Sequence, residues 1–230
     1  MRLVVVAHGT RDPAGVAVTR RLAAAVGAEL AFVDVLPPRL RDVLARVPGP
    51  VTVVPAFLAA GYHVRVDVPA EVAASGRDDV TVTAALGPAV AAAAAARLRA
   101  AGWRPGDAVL LAAVGSSDPR ASLDVRRAAR GLTAVLRHPV GVCSVPSLPS
   151  VVAGLQATGR RVAVAPWLLA PGLFHRAATD CGAEVVAAPL GEHPAVVARL
   201  AALAGRAERV PEPNCQARPS PRTRHSISVA

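Results

Sequence analysis

The chain contains two copies of one sequence pattern, separated by about a hundred residues. The first copy carries Gly9-Thr10-Arg11-Asp12-Pro13-Ala14, and the second carries Gly115-Ser116-Ser117-Asp118-Pro119-Arg120. The apolar segments Val51–Pro55 and Val162–Pro166 are related in the same way. In both copies short apolar runs alternate with helical segments, which is typical of a parallel sheet covered by helices. We therefore predict two similar α/β domains, residues 1–104 and 105–207.

The spacing of apolar residues, glycine and proline predicts the individual elements. Strands are expected at 4–7, 30–35, 51–55 and 80–84, and helices at 13–26, 38–46, 69–74 and 88–101. In the second copy strands are expected at 108–114 and 162–166, with a terminal helix from Pro194. From residue 208 the chain is rich in Pro, Ser and Arg and has no periodicity, so residues 208–230 are predicted to be a disordered tail.

The chain is strongly basic, but its charge is dispersed. All 26 basic residues are arginine, and the formal net charge is +10. Nucleic-acid-binding proteins cluster their charge and interleave aromatic residues, whereas these arginines are scattered singly or in pairs. We therefore expect no nucleic-acid partner, while a small polyanionic ligand would be attracted by the same charge.

Cysteine usage and hydropathy exclude several classes of protein. Cys143, Cys181 and Cys215 lie far apart without CxxC spacing, which argues against a disulfide framework, a structural zinc site and an iron–sulfur cluster. The chain does not open on a charged segment followed by an apolar one. Its long uncharged stretches contain Gly and Pro and lack the apolar residues of a membrane span. We therefore expect a cytoplasmic protein without membrane contact.

Two histidines follow predicted strands. His8 ends the first strand directly, and His63 lies in the long loop predicted after the third strand. Ligands of open α/β sheets bind at the carboxyl ends of the strands. Imidazole pairs suit divalent metals such as Fe²⁺, Co²⁺ or Ni²⁺, and a neutral imidazole can accept a proton. Metal insertion into a tetrapyrrole needs both functions; alternatively, each histidine satisfies a backbone group in its loop.

Aromatic residues are concentrated in the two loops that follow the third strand of each copy. Four of the six aromatic residues of the chain lie there, namely Phe57, Tyr62, Trp167 and Phe174. These rings would form the walls around a flat macrocycle held between the domains. The alternative is that they fill the interface between the two domains.

Polar residues beside the histidines are candidates for holding a ligand. Arg11 and Arg65 adjoin the two histidines in sequence, and their guanidinium groups would bind peripheral carboxylates, unless both are simply solvated. Ser116 and Ser117 occupy the loop equivalent to that of His8. They would donate hydrogen bonds to the same ligand, or serve as helix caps.

The chain resembles the sirohydrochlorin chelatases, the cofactor-independent chelatases of siroheme and cobalamin synthesis. The resemblance is carried by His8-Gly9-Thr10-Arg11-Asp12-Pro13 and by residues 57–69, Phe-Leu-Ala-Ala-Gly-Tyr-His-Val-Arg-Val-Asp-Val-Pro, and it covers residues 1–206. It implies that His8 and His63 are metal ligands and that His8 also accepts a proton. It further implies about four parallel strands in each domain, with the site in a cleft between the domains. The residues expected to contact the tetrapyrrole are Arg11, Leu58, Ala59, Ala60, Gly61, Tyr62, Ser116, Ser117 and His175.

The sequence departs from the family pattern after the second strand and in its tail, which has only Cys215 and His225 where some long members carry a cysteine-rich or histidine-rich extension. Some members have an acidic residue before the proline that follows the second strand, whereas this chain has Pro37 before Pro38. The expected activity is insertion of Fe²⁺ or Co²⁺, with Ni²⁺ as a further option, into sirohydrochlorin. No cofactor beyond this substrate metal is expected, and a monomer suffices because the duplication supplies both halves. The alternative is a carrier that binds a metal or a tetrapyrrole without catalysis.

The second copy is not expected to hold a metal of its own. It has Val114 where the first copy has His8, and its histidine, His175, follows the shared glycine one residue later than His63 does. A lone imidazole binds divalent metals weakly. We therefore predict one tight metal site per chain, with His175 facing the cleft or capping its helix.

Overall fold

The computed structural model describes residues 2–116 and 118–207, so the predicted tail and Ser117 lie outside the described residues. Each repeat forms a four-stranded sheet in which every pairing is parallel, as predicted. The first sheet has the order β2-β1-β3-β4, and the second has the order β6-β5-β7-β8. The strands are β1 (Arg2–Ala7), β2 (Glu29–Phe32), β3 (Val51–Pro55), β4 (Val80–Val82), β5 (Ala108–Ala113), β6 (Val140–Ser144), β7 (Val162–Pro166) and β8 (Val185–Val186).

Helices flank both sheets. They are α1 (Pro13–Ala25), α2 (Leu40–Arg46), α3 (Val68–Ala74), α4 (Ala91–Ala100), α5 (Pro119–Leu136), α6 (Leu148–Gln156), α7 (Leu173–Thr179) and α8 (Pro194–Ala207). Within the described ranges, none of these helices combines the length and the apolar character needed to cross a membrane.

The repeated Asp-Pro pairs start equivalent helices. Asp12 accepts a hydrogen bond from the Ala14 N–H at 3.0 Å, and Asp118 accepts one from the Arg120 N–H at 2.8 Å. The proline that follows each aspartate occupies the first helical turn, where its missing N–H has no cost. The central strands β3 and β7 are buried along their whole length, as expected for parallel strands covered on both faces.

Several predicted element boundaries are wrong by a few residues. The second strand ends at Phe32 rather than at residue 35, because Leu36 N–H donates to the Asp34 carbonyl at 2.7 Å and the chain turns there. The fourth strand ends at Val82, and the second helix begins at Leu40. The helix predicted at 88–101 consists of a 3₁₀ turn at Gly87–Val90 followed by α4.

The two repeats exchange their last helices. Helix α4 of the first repeat packs against β7 of the second sheet, and α8 of the second repeat packs against β3 of the first. One hydrophobic core consequently includes Leu98 of α4, Leu200 of α8 and core residues of both sheets. The segments 1–104 and 105–207 are therefore repeats in sequence, but their packing is shared.

Hydrogen bonds and close contacts join the repeats beside the strand ends. Trp167 Nε1 donates to the Leu58 carbonyl at 3.3 Å, and the Ala60 N–H donates to Asp124 Oδ2 at 3.0 Å. Gly15 in α1 lies so close to the second repeat that a Cβ atom there would be 2.3 Å from the Pro171 carbonyl oxygen. The loop at residues 167–172 is thus fixed against the first repeat.

We expect Gly15→Ala to destabilise the protein. The added methyl group would overlap the Pro171 carbonyl and also lie 2.5 Å from Thr10 Cγ2, so the interface has to shift. Overpacking of this kind costs about 1–3 kcal/mol, and urea unfolding measures it. Gly154→Ala in α6 is the matched control, because a Cβ there meets open space and alanine favours a helix. Equal unfolding midpoints for the two variants would contradict the close approach.

Candidate functional site

The site lies where the first three strands of the first repeat end. In the sheet order β2-β1-β3, the carboxyl ends of these strands lie at one edge. His8 follows β1 directly, and Asp34 lies two residues beyond the end of β2. His63 follows β3 after a loop. Three side chains with acid–base or metal-binding chemistry thus lie at the carboxyl-terminal edge of the sheet, where parallel sheets bind ligands.

The two histidines are in direct contact. Their ring centroids are 4.3 Å apart, and the ring planes are perpendicular. His8 Nδ1 is 3.2 Å from the Gly9 carbonyl oxygen, to which it donates. His63 Nδ1 donates to Asp67 Oδ2 at 2.5 Å. Because each Nδ1 carries its proton toward an oxygen, each Nε2 retains a lone pair for a metal or a proton.

His63 does not lie in a loop, and that prediction is wrong. It begins a π-helical turn, His63–Asp67, which continues into α3. The turn brings Asp67 beside His63, because residues four apart lie on the same helical face. The i,i+4 spacing of His63 and Asp67 was a sequence signal for this pair, but the β-branched residues between them conceal it.

Asp34 is a site residue that the sequence analysis missed. Its Oδ1 accepts a hydrogen bond from the Val35 N–H at 2.7 Å, and this bond holds the pKa of Asp34 below its usual value. Partial desolvation opposes the shift, whereas the nearby positive charge of Arg39 lowers the pKa of Asp34 further. The residue is exposed and therefore supplies a negative charge beside the imidazoles. The sequence signal for this site residue was a single acidic residue just after β2, the strand that pairs with β1.

A strained turn follows the end of β2. Val35 has a φ of 64°, a strained value for a β-branched residue, and it follows Asp34 immediately. Gly9, with a φ of 97°, lies against this turn, and a Cβ at Gly9 would be 2.7 Å from the Asp34 carbonyl oxygen. The acidic residue of this turn is therefore Asp34, three positions before Pro37.

An ion bound by the histidine pair would remain exchangeable. Among the residues that the structure describes, no group of three or more His, Cys, Asp or Glu side chains is arranged to hold a metal. Two imidazoles with a carboxylate nearby form an open site rather than a closed cage. Open coordination positions are what an ion that must move on to another ligand requires.

A cavity of about 810 Å³ adjoins the histidine pair, and residues of both repeats line it. Six of the nine predicted contact residues lie on its wall together with His8 and His63, namely Leu58, Ala59, Gly61, Tyr62, Ser116 and His175. Ala60 is not part of this wall; its N–H is bound to Asp124 instead. Arg11 lines a neighbouring cavity of about 500 Å³, which shares Thr10 and Leu173 with the larger one. Ser117 is outside the described residues.

The four loop aromatics all line the cavity but differ in burial. Trp167 is 4% exposed and bonded to Leu58, so it fills the interface between the repeats. Tyr62 and Phe174 are 62% and 40% exposed and lie at the mouth. Phe57 stacks beside His63 with centroids 6.2 Å apart. Trp167 therefore fits the interface interpretation, while the role of the other three rings around a macrocycle stays a prediction.

The second repeat contributes walls rather than a second histidine pair. His175 in α7 lines the same cavity, and burial lowers its pKa, opposed by a hydrogen bond that the ring donates to the backbone of Ala187. Val114 occupies the position equivalent to His8. Arg65 is not simply solvated, because its Nε lies 3.8 Å from Asp118 Oδ2 of the other repeat.

Solved structures of chelatases have the same fold. The sirohydrochlorin chelatase SirB from Bacillus subtilis subspecies spizizenii, in complex with cobalt, is 21% identical with a TM-score of 0.73, covering 88% of this chain and 94% of that one. SirB from Bacillus subtilis with Fe³⁺ is also 21% identical, with a TM-score of 0.73 and coverage of 90% and 95%. CbiX, the terminal enzyme for biosynthesis of siroheme in denitrifying bacteria, is 23% identical, with a TM-score of 0.65 and coverage of 90% and 99%.

At the level of sequence, no curated protein matches the chain. The family model of CbiX does match, and it does so twice, at residues 2–101 and 108–207. The two matched segments are the two repeats, each with its four-stranded sheet. The chain belongs to the CbiX family.

Proposed function

We propose that this protein is a chelatase that inserts Fe²⁺ or Co²⁺ into sirohydrochlorin. The observation that carries the proposal is the contact between His8 and His63, 4.3 Å apart at the wall of a cavity large enough for a flat macrocycle. Membership of the CbiX family supports the reaction class. The SirB structures with cobalt and with Fe³⁺ support both metals as candidates.

The reaction requires ligand exchange and proton removal at one place. The divalent ion leaves the protein for four ring nitrogens, and two pyrrole N–H protons are released as the metal enters. His8 and His63 would hold the ion through Nε2, and Asp34 would favour a cation electrostatically. As the ion moves to the ring, the freed His8 lone pair would accept one pyrrole proton, and the second proton would pass to solvent. Two imidazoles thus supply ion binding and base, so the proposal needs no cofactor beyond the substrate metal.

The test is multiple turnover under anaerobic conditions. Sirohydrochlorin in large excess over the protein is incubated separately with Fe²⁺, Co²⁺ and Ni²⁺, and absorbance follows the metallated product. We expect many turnovers per chain with at least one of Fe²⁺ and Co²⁺, above the spontaneous rate. Product that stops at one equivalent per chain would identify a carrier and contradict the proposal.

We expect Asp67→Asn to reduce metal insertion by about 10- to 100-fold, the usual effect of losing a residue that orients a metal-binding histidine. The carboxylate fixes the His63 ring and its tautomer through the 2.5 Å contact at Nδ1. Steady-state insertion of Co²⁺ measures the effect. Asp42→Asn in α2 is the control, because that exposed carboxylate lies away from the cavity. Equal rates for the two variants would show that Asp67 does not orient His63 in the reaction.

A further inference from the structure

We propose that Arg126 in α5 binds a peripheral carboxylate of the tetrapyrrole and so fixes the macrocycle against the second repeat. This inference rests on the proposed function and names a contact for its substrate. The guanidinium fork matches a carboxylate geometrically and remains charged at every working pH. A ring with eight carboxylates offers such a group at several points of its edge.

The charge of the cavity wall singles out Arg126. Of the described residues that line this cavity, none is aspartate or glutamate, and Arg126 is the one arginine. The histidines of the wall are the other basic groups, and His8 and His63 belong to the first repeat. A polyanion entering the cavity therefore meets one fixed positive charge on the wall of the second repeat.

Arg126 has no ionic or hydrogen-bonding partner within residues 2–116 and 118–207, and its side chain is exposed. The acid nearest in sequence, Asp124, is already engaged. Its Oδ2 accepts the Ala60 N–H at 3.0 Å, and its Oδ1 is 3.1 Å from Arg127 Nη1. Arg126 thus keeps its donors free for a ligand, while its neighbour Arg127 is paired.

Arg126 and Ser122 lie on the face of α5 that lines the cavity. The two residues are four positions apart in α5, so they are neighbours on one helical face, and both line the cavity. A serine hydroxyl one turn before a guanidinium offers a further hydrogen-bond donor to the same carboxylate.

The equivalent arginine of the first repeat does not line the cavity. Arg20 and Arg126 each lie eight residues after their helix-capping aspartate, Asp12 or Asp118. Arg20 is exposed, also lacks a partner among the described residues, and is not part of the wall. The proposed contact is therefore specific to the second repeat, opposite the histidine pair of the first.

The test compares Arg126→Gln with Arg20→Gln, which removes the same charge from the equivalent position outside the cavity. The dissociation constant of metal-free sirohydrochlorin is measured by fluorescence quenching of the full-length proteins. We expect binding to weaken about fivefold to tenfold in Arg126→Gln, the range for an exposed but charge-assisted contact. Arg20→Gln should bind within about twofold of the unchanged protein.

A second measurement identifies the ligand group. With sirohydrochlorin whose carboxylates are methyl-esterified, the difference between Arg126→Gln and the unchanged protein should disappear. Co²⁺ binding and the melting temperature should be the same in Arg126→Gln and the unchanged protein, since Arg126 has no partner to lose among the described residues. Equal sirohydrochlorin affinity in Arg126→Gln and the unchanged protein, equal loss in the two arginine variants, or a difference that persists with the ester would each overturn the contact. Failure of the unchanged protein to bind sirohydrochlorin would instead overturn the proposed function.

Discussion

We expect His8→Ala to lower the rate of metal insertion by about 10²- to 10⁴-fold, the range for loss of a positioned general base. The substitution removes two things at once, because His8 would hold the ion through Nε2 and would then accept a pyrrole proton. His63 cannot take over both functions of His8. Its ring is fixed by the hydrogen bond to Asp67, with its centroid 4.3 Å from the position of the His8 ring. Steady-state insertion of Co²⁺ and of Fe²⁺ under anaerobic conditions measures the loss.

The fold should survive this substitution. His8 is half-buried and, within the described part of the chain, makes one hydrogen bond, to the carbonyl of its own neighbour Gly9. His138→Ala is the control, because His138 lies outside the cavity and its Nε2 bonds to the Asp107 carbonyl at 2.8 Å. The control should lose some stability but keep its insertion rate. An unchanged rate in His8→Ala, after subtraction of the spontaneous reaction, would remove His8 from the mechanism.

The parts of the fold that local sequence determines could be predicted. Runs such as Val4-Val5-Val6 specify a strand buried on both faces, and the repeated Asp-Pro pair specifies a capped helix start. His8 could be identified because it stands where such a strand stops. These features depend only on residues that are close in sequence. A feature predicted in one repeat is therefore expected at the equivalent position of the other.

The exchange of α4 and α8 could not be predicted in this way. An alanine-rich helix such as α4 presents similar small side chains to any sheet, and its sequence does not distinguish β3 from β7. Tertiary packing decides which sheet α4 covers. For example, α4 packs closely on α5 of the second repeat, where a Cβ on Gly131 would lie 3.1 Å from Ala91 Cβ. Sequence repeats therefore indicate the topology of each sheet but not which sheet the last helix covers.

Two features of the candidate site depend on unusual backbone. Asp34 lies in a turn in which Val35 adopts a positive φ, which a β-branched residue rarely does. His63 is fixed by a π-helical turn, where a run of valines suggests an extended segment. Local preferences are overridden at both points, and such exceptions are concentrated at functional sites.

We expect one tight metal per chain, with His63→Ala weakening it far more than His175→Ala does. His63 contacts His8 directly, whereas the equivalent of His8 in the second repeat is Val114, which has no lone pair. Loss of a residue that only orients a metal ligand costs about 10- to 100-fold in affinity, so loss of the ligand itself should cost about a hundredfold or more. Anaerobic Co²⁺ titration of the full chain, followed by visible absorbance, measures both affinities.

The expected loss in His175→Ala is less than about threefold for Co²⁺, because its imidazole stands alone in its half of the site. The double variant His8→Ala/His63→Ala measures the background of Co²⁺ that binds weakly elsewhere on the chain. His175 still lines the shared cavity, whose wall comes from both repeats, so we expect its ring to contact the tetrapyrrole of the proposed reaction. Sirohydrochlorin affinity should therefore fall in His175→Ala while Co²⁺ affinity holds. Two equivalent cobalt sites, or one site that survives loss of His63 but not of His175, would assign the metal chemistry to the second repeat.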